Sequence, residues 1–271
     1  MTARDALIVA LDVENVEAAR ALVEKLGRSV GFYKIGLELA FAGGLDFAEG
    51  LKDAGKRVFL DLKLHDIGAT VERATRQIAR RGVDFLTVHG YEQTMRAARD
   101  GAGESGLRIL AVTVLTSYDD VDLRKAGYAQ DVAATVASRA AQAREAGLAG
   151  LILSPLDLRP IRALAGPKML LVTPGVRPRG GAAARFPLER DRSSDDKSRE
   201  SQDAGANSDR KSLSTFAEFA LDDQKRVASP AEAIEAGADY LVVGRPITRA
   251  EDPRRAAEAI VAEIEEAAAR I

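Results

Sequence analysis

A repeated alternation of short apolar runs with helical segments constrains the fold of this chain more than any other sequence feature. Eight β-rich runs occur, at residues 7–13, 31–37, 57–64, 84–90, 108–115, 150–154, 169–176 and 240–247. Between most of them lie segments rich in Ala, Glu and Arg with helical spacing, such as residues 16–27 and 131–147. Strands that are apolar on both faces and alternate with helices indicate a parallel sheet.

Eight such units within about 250 residues favour an α/β fold of the (β/α)8 TIM-barrel type. Glycines follow several of the helical segments, where C-caps are expected: Gly27, Gly82, Gly147 and Gly237. We therefore predict one catalytic domain over residues 1–271. A doubly wound open sheet is the alternative, but the glycine fingerprint usual after its first strand is missing from LDVENVEAA.

The composition narrows the classes of function. The 271 residues are 46% hydrophobic, and 39 Lys and Arg face 41 Asp and Glu, for a net charge of −2. Because there is no basic excess and no apolar run of about 18 residues, we expect no nucleic-acid partner and no membrane span. No cysteine is present, which excludes disulfides and thiol nucleophiles. The first apolar run is interrupted at Asp12, so we predict no signal peptide and a cytoplasmic location.

One segment interrupts the alternation. Residues 179–221 follow the seventh β-run, and from Arg190 to Ser212 they contain no aliphatic residue larger than Ala and no aromatic residue. Such a stretch cannot bury enough apolar surface to fold alone, so we predict a disordered, solvated insertion in this loop. The alternative is a partner-binding arm or an altered lid carried by FAEFAL, residues 216–221.

Charged residues lie where the predicted strands end. Asp12 ends the first strand, Lys34 lies in the second, and Asp61 and Lys63 lie late in the third. Further polar or glycine positions follow later strands: Thr116, Ser117, Arg177, Gly244 and Arg245. Active sites of these barrels form at the carboxyl ends of the strands, so this rim is the candidate site.

The charged rim could instead be a structural salt-bridge network in which the charges only pair with one another. Asp and Lys are seldom fully buried, and desolvation costs several kcal/mol per ion unless pairing is good, so we favour a role in chemistry. His65 and His89 are the only histidines, and we interpret both as strand-end residues hydrogen-bonded to backbone. Neither shows a tight ligand spacing, so we predict no metal site. Asp84 and Asp239 each precede a strand and are interpreted as start or turn residues.

Two arginines indicate a phosphate site. VVGRPIT places Gly244 beside Arg245 after the eighth strand, and TPGVRP places Arg177 after the seventh. The loops after strands seven and eight commonly hold phosphate in these barrels, and Arg matches phosphate oxygens with a bidentate fork.

Together these residues resemble a known family. The pattern D-x-K-x-x-D at Asp61, Lys63 and Asp66, within FLDLKLHDIGATV, resembles the signature of the orotidine 5′-phosphate decarboxylases. LIVALDV, YKIGLEL, AVTVLTS, LVTPGVRP, DQKRV and YLVVGRPITRAEDP resemble that family in order and spacing. The likeness covers residues 6–178 and 222–265. The insertion is the departure, since it separates Arg177 from Gln224, which the family holds together in the loop that closes over the phosphate.

The resemblance implies an activity and a catalytic set. The family removes CO2 from C6 of orotidine monophosphate to give UMP, the last step of de novo pyrimidine nucleotide synthesis, without metal or organic cofactor. It implies that Lys63 protonates the C6 carbanion within an array of Lys34, Asp61, Lys63 and Asp66. It also implies a homodimer in which each site takes Asp66 and Thr70 from the other subunit.

The resemblance also implies the residues that bind substrate. Asp12, Lys34 and Thr70 would hold the ribose hydroxyls, Asp61 would lie beside the departing carboxylate, and Thr116 would lie near the pyrimidine. The positions implied for the base edge and the phosphate are Pro174, Arg177, Gln224, Gly244 and Arg245.

Two other functions remain open. The first is a metal-dependent lyase of the same superfamily that acts on a keto-sugar phosphate. Those enzymes place a metal-binding carboxylate on strand two, where this chain has YKIG and therefore Lys34. The second is a non-catalytic nucleotide-binding scaffold, which would have no need of Lys63.

Overall fold

The computed structural model describes residues 2–178 and 226–271 and contains a closed barrel of eight parallel strands that pair in chain order, with β8 closing on β1. The strands are β1 (Leu7–Ala10), β2 (Phe32–Gly36), β3 (Arg57–Leu64), β4 (Phe85–His89), β5 (Arg108–Val112), β6 (Gly150–Ile152), β7 (Leu170–Thr173) and β8 (Tyr240–Val243). The predicted (β/α)8 barrel is confirmed. The open-sheet alternative is wrong, because β1 pairs with both β2 and β8.

Helices follow the strands on the outside of the barrel. The described α-helices are α1 (Ala3–Ala6), α2 (Val16–Leu26), α3 (Leu37–Leu39), α4 (Leu45–Asp53), α5 (Gly68–Ala79), α6 (Glu92–Ala102), α7 (Asp120–Lys125), α8 (Val132–Glu145), α9 (Leu158–Ala165), α10 (Pro230–Glu235), α11 (Arg245–Thr248) and α12 (Pro253–Ala268). A π-helical turn (Ala40–Gly44) joins α3 to α4, and a 3-10 turn (Pro155–Asp157) precedes α9. Among the described helices, none is both long and apolar enough to cross a membrane.

The glycines predicted to end helices adopt the conformation that this role requires. Gly27, Gly82, Gly147 and Gly237 follow α2, α5, α8 and α10 with φ of 54°, 68°, 73° and 103°. An L-residue with a side chain is disfavoured in this left-handed region, so glycine allows the chain to turn sharply towards the next strand.

Aromatic side chains fill the barrel interior at the amino ends of the strands. Phe32, Phe85 and Tyr240 pack edge to face with ring centroids 5.1–5.9 Å apart. The guanidinium of Arg57, the first residue of β3, lies 4.0 Å from the centroid of Phe32 and closes this end of the barrel. The barrel is therefore a packed core here, and its other end is left for the site.

Strand alternation directs the charged residues into the other end of the barrel, the barrel mouth. Phe59 of β3 belongs to the buried interior cluster, so Asp61 and Lys63, two and four residues later, face the same side. The same period places Lys34 two residues after the interior Phe32 of β2. The charges thus continue the inward-facing rows of each strand beyond the apolar layer.

Residues 179–221, interpreted above as an insertion, lie outside the described residues, as do the predicted phosphate-side residue Gln224 and the segment FAEFAL.

Candidate active site

Asp61 is the centre of a charged network at the barrel mouth. Its Oδ1 lies 2.9 Å from Nζ of Lys63, and its Oδ2 lies 3.5 Å from Nζ of Lys34. Lys34 Nζ also donates a hydrogen bond of 2.9 Å to Oδ1 of Asp12. The structure therefore brings together Asp12, Lys34, Asp61 and Lys63, which we call the charged array.

Burial makes the charges of the array interact strongly. Lys34 is only 8% exposed. Burial by itself would lower the pKa of Lys34, but attraction by Asp61 and Asp12 outweighs this, and the pKa is raised. Burial would likewise raise the pKa of Asp61, but Lys34 and Lys63 hold it below its ordinary value. Both groups are therefore charged at neutral pH.

A glycine makes room for the array. Gly36 ends β2 two residues after Lys34, and a Cβ at this position would lie 3.1 Å from Oδ1 of Asp12 and 3.2 Å from Nζ of Lys34. These approaches are tight for a carbon atom beside two charged groups. A side chain here would require Asp12 and Lys34 to move by a few tenths of an ångström.

Lys63 has an unusual backbone conformation. Its φ is 48°, and it is the one non-glycine residue with positive φ in the described part of the chain. The pairing of β3 with β4 shifts register between Leu60 and Leu64, so Lys63 lies inside an irregular stretch of ladder. Left-handed backbone costs a residue with a side chain roughly 1–2 kcal/mol, and such strain is concentrated at functional positions.

Thr87 of β4 connects the two catalytic candidates of β3. Its Oγ1 donates a 2.8 Å hydrogen bond to Oδ1 of Asp61 and accepts a 3.0 Å hydrogen bond from the backbone N–H of Lys63. Thr87 is not among the site residues predicted from the sequence. The signal was available, because Thr87 is two residues from the interior Phe85 and must face the same side.

The predicted phosphate residues lie on neighbouring loops. Val176 forms a parallel bridge with Ala228, and the backbone N–H of Arg177 donates a 2.9 Å hydrogen bond to the carbonyl of Ala228. Gly244 and Arg245 directly follow β8, the neighbour of β7. Both arginines are partly buried at the mouth.

An ion pair that the sequence did not predict supports these loops. Arg226 Nη1 donates a 2.7 Å hydrogen bond to Oδ2 of Asp157, and each side chain is only 13% exposed. Asp157 belongs to the turn after β6, and Arg226 lies two residues before Ala228. The pair therefore ties the chain that contacts Arg177 to the loop after β6.

The remaining predicted residues are less tightly placed. Thr116 follows β5, Pro174 follows β7, and Thr70 lies in the first turn of α5, all of them partly buried. Asp66 is exposed, and its Oδ1 accepts a 2.6 Å hydrogen bond from the N–H of Ile67. In the described part of the chain, no ion pair joins Asp66 to a lysine of the array.

The histidines differ in part from the prediction. His65 was predicted to bond backbone, but its Nδ1 lies 3.2 Å from the hydroxyl oxygen of Thr94 on α6, and its ring stacks on Tyr91 at 4.5 Å. The packing of His65 against α6 and the residue before it explains the difference, and the sequence does not show this packing. The ring centroids of His89 and His65 are 5.7 Å apart. The pKa of His89 is lowered, chiefly by burial and secondly by the neighbouring His65. Within residues 2–178 and 226–271 no three His, Asp or Glu side chains are grouped as a metal ion would require.

Comparison with known proteins agrees with this architecture over nearly the whole chain. The model of the family described as "Orotidine 5'-phosphate decarboxylase / HUMPS family" matches residues 5–189 and 215–260. The unmatched residues 190–214 lie within the segment that we interpret as an insertion.

Curated relatives and solved structures match to a similar extent. Orotidine 5'-phosphate decarboxylase of Rhodopseudomonas palustris (strain HaA2) is 52% identical over 264 residues, which cover 97% of this chain and 96% of the relative. That of Bradyrhizobium sp. (strain ORS 278) is 53% identical over 267 residues, covering 98% and 94%. The crystal structure of orotidine 5'-phosphate decarboxylase from Lactobacillus acidophilus superposes with a TM-score of 0.73 at 34% identity, covering 95% and 98%.

Proposed function

The chain belongs to the orotidine 5'-phosphate decarboxylase / HUMPS family, and on that premise we propose that the charged array decarboxylates orotidine 5′-monophosphate to UMP without a cofactor. The enzyme is a decarboxylase, as its relatives are named, and a decarboxylase is a carbon–carbon lyase. The observation that carries the proposal is the Lys34–Asp61–Lys63 network at the barrel mouth, with nitrogen–oxygen distances of 3.5 and 2.9 Å. The reaction belongs to pyrimidine nucleotide synthesis.

Lys63 supplies the charge and the proton that the reaction needs. The bond between C6 and the carboxylate breaks, CO2 leaves, and the electron pair stays on C6. The ammonium of Lys63 stabilises this developing charge and then transfers one proton from Nζ to C6, after which solvent reprotonates the amine. The Lys63 side chain is 31% exposed, which leaves its ammonium accessible from the mouth.

Asp61 and Lys34 keep this ammonium in place. A fixed charge in a site that excludes water stabilises a transition state without reorganising, and this is commonly the largest catalytic contribution. The lowered pKa of Asp61 and the raised pKa of Lys34 keep both groups ionised while the substrate reacts. The array is therefore organised before substrate arrives.

Other residues hold the parts of the nucleotide that do not react. Asp12, Lys34 and Thr70 bind ribose hydroxyls, and Thr116 lies beside the pyrimidine. The base edge and the phosphate are bound by Pro174, Arg177, Gln224, Gly244 and Arg245. Binding energy from the remote phosphate can orient the reacting carbon, so these contacts raise kcat as well as affinity.

Turnover of orotidine monophosphate after exhaustive chelation tests this proposal. We expect loss of the substrate's ultraviolet absorbance with equal amounts of UMP and CO2, at the same rate with and without chelator. The Lys63→Ala protein should be folded and inactive. Turnover that vanishes on chelation and returns with Mg²⁺ would instead assign the chain to the sugar-phosphate lyases.

We further propose that two subunits share each site. Asp66 makes no ion pair with the array of its own protomer, although it lies only three residues beyond Lys63. The adjoining Ile67 is 70% exposed, and Leu37 and Phe41 near the mouth are exposed too. Exposed apolar side chains beside the loop that contains Asp66 favour coverage of this surface by a second copy of the chain. A two-fold dimer lets each protomer give the loop that it receives.

Mixing two inactive variants tests the shared site. In a dimer of Lys63→Ala with Asp66→Ala chains, one site would carry both lesions and the other none. Random exchange makes roughly half of the dimers mixed, so about a quarter of wild-type activity should return. If mass measurement shows exchange but activity does not rise, Asp66 acts within its own chain.

We also propose that residues 179–221 are an insertion in a single catalytic domain. Val176 and Ala228 pair with each other, so the described chain on the two sides of the segment comes together close to the barrel. Replacing residues 179–221 by a short loop that joins Pro178 to Asp222 should keep kcat/KM within about tenfold, equivalent to roughly 1.4 kcal/mol. A folded but inactive variant would show that the segment contributes to the site.

A further inference from the structure

The hydroxyl of Thr87 holds two groups of the charged array at once. It donates to the carboxylate of Asp61 at 2.8 Å and accepts from the backbone N–H of Lys63 at 3.0 Å. Thr87 itself is fully buried in β4. Water therefore cannot replace the hydroxyl if the side chain is changed to an apolar one of the same shape.

The direction of both hydrogen bonds is fixed by chemistry. A backbone N–H can only donate, so the hydroxyl must accept from Lys63 and has its single proton free for Asp61. An ionised carboxylate can only accept, which matches this arrangement. Because the pKa of Asp61 is lowered, the carboxylate stays ionised and the pattern persists across neutral pH.

The bond to Lys63 replaces a regular ladder contact. The pairing of β3 with β4 is irregular between Leu60 and Leu64, and Lys63 has φ of 48° inside this stretch. A left-handed residue within a strand persists only where its surroundings hold it. Thr87 provides such a contact, directly at the backbone of the residue whose ammonium is 2.9 Å from Asp61.

Resting on the proposed function, we propose that Thr87 is a positioning residue for the decarboxylation: its hydroxyl fixes the strained backbone of Lys63 and the carboxylate of Asp61 relative to each other. In this role Thr87 does not contact the substrate and does not take part in the proton transfer. Losing the hydroxyl would leave both groups present but free to shift. A misplacement of about 1 Å can cost about 10²-fold in rate.

The barrel supplies a matched control for removing this hydroxyl. Thr113 follows β5, is fully buried like Thr87, and donates a 3.0 Å hydrogen bond to the carbonyl of Ile152. Thr113→Val removes the hydroxyl of a buried threonine, as Thr87→Val does, but it loses one hydrogen bond where Thr87→Val loses two, and it does not touch the array. The two variants therefore separate a general loss of packing or stability from a loss of positioning.

The test compares Thr87→Val, Thr87→Ser and Thr113→Val by kcat, KM, pH profile and melting temperature. We expect kcat of Thr87→Val to fall about 10²-fold with KM changed less than about threefold. Thr87→Ser should recover to within about fivefold of wild type, since serine keeps the hydroxyl. The kcat of Thr113→Val should stay within about twofold of wild type, at a melting temperature similar to that of Thr87→Val.

The pH profile reports the carboxylate directly. The Thr87 hydrogen bond helps to lower the pKa of Asp61, so its loss should move the acid limb of kcat/KM to higher pH in Thr87→Val alone. Thr87→Val with the kcat and pH profile of Thr113→Val would overturn the proposal, as would Thr87→Ser no better than Thr87→Val. Wild-type protein that does not consume orotidine monophosphate would refute the proposed function instead.

Discussion

Asp61 and Asp84 are two carboxylates at opposite ends of the barrel, and each has two cations and one hydrogen-bond donor as partners. Asp61 lies 2.9 and 3.5 Å from two lysines and accepts a 2.8 Å hydrogen bond from Thr87. Asp84 lies 2.7 and 3.7 Å from Lys52 and Arg57 and accepts a 2.8 Å hydrogen bond from the N–H of Val58. Their side chains are 15% and 24% exposed.

The partners of Asp84 belong to the framework. Val58 and Arg57 begin β3, and Arg57 also lies over the aromatic rings that plug the barrel. The same device recurs where β8 begins, since Asp239 accepts from the N–H of Leu171 and pairs with Arg162. At this end a carboxylate joins the start of one strand to its neighbour, and the cations of the framework neutralise its charge.

The partners of Asp61 face the barrel mouth. Lys63 is partly exposed there and has a strained backbone, which no framework role requires. Charge count and burial therefore do not separate a structural cluster from a catalytic one. What separates them is whether the cations are directed into the framework or towards the space that a substrate would enter.

The largest effect is expected from removing the ammonium at the mouth. Lys63→Met keeps the apolar stem but loses both the charge and the proton, so kcat/KM for orotidine monophosphate should fall by about 10³-fold or more. The melting temperature should change by less than about 3 °C, because the ammonium lies at the open mouth. Steady-state kinetics and thermal melting check this. Activity within tenfold of wild type would remove Lys63 from the chemistry.

A smaller effect is expected from breaking the ion pair of Asp157 and Arg226, which supports the loops predicted to bind phosphate. Asp157→Asn leaves the partly buried Arg226 without its counter-charge, so the chain that contacts Arg177 should shift. We expect kcat/KM for orotidine monophosphate to fall about tenfold, and that for orotidine, which lacks the phosphate, to stay within about twofold.

Asp239→Asn is the control, because it breaks the comparable pair with Arg162 at the other end of the barrel. It should lower the melting temperature without changing the ratio between the two substrates. An equal loss with both substrates in Asp157→Asn would show that this pair supports the fold in general.

The smallest effect is expected from pH. The pKa of Asp61 is below 3.8, so the stability from its ionised form is present above that value and is lost only as pH falls through the folded pKa. The pKa of Lys34 is above 10.5, so its contribution is lost only as pH rises beyond that value. We therefore expect wild-type kcat to vary less than about twofold between roughly pH 6 and 8.5. A steep change of kcat in this range would contradict the directions given for the pKa values of Asp61 and Lys34.

Much of this molecule could be predicted from local sequence. The strands and their order follow from apolar runs and helix spacing, and Asp12, Lys34 and Asp61 follow from the two-residue period that continues the inward rows. The chemistry assigned to these residues came from a family resemblance, since spacing alone indicates only a charged mouth.

The rest depends on contacts between distant parts of the chain. Thr87 is an ordinary β-branched residue for a strand, and its importance appears only once the irregular register of β3 against β4 is known. Arg226 and Asp157 are 69 residues apart and meet through the packing of two loops. The sharing of Asp66 between two subunits stays a proposal, which the mixing of inactive variants tests.

Asp61→Asn and Asp84→Asn, measured side by side, test whether the carboxylate at the barrel mouth supports catalysis while the one at the other end supports only the framework. Each substitution keeps the shape of the side chain and removes one charge from a site with two cations, so we expect melting temperatures within about 5 °C of each other. We expect kcat/KM for orotidine monophosphate to fall by at least about 10²-fold in Asp61→Asn and to stay within about twofold in Asp84→Asn. Equal losses of kcat/KM in the two folded variants would contradict it.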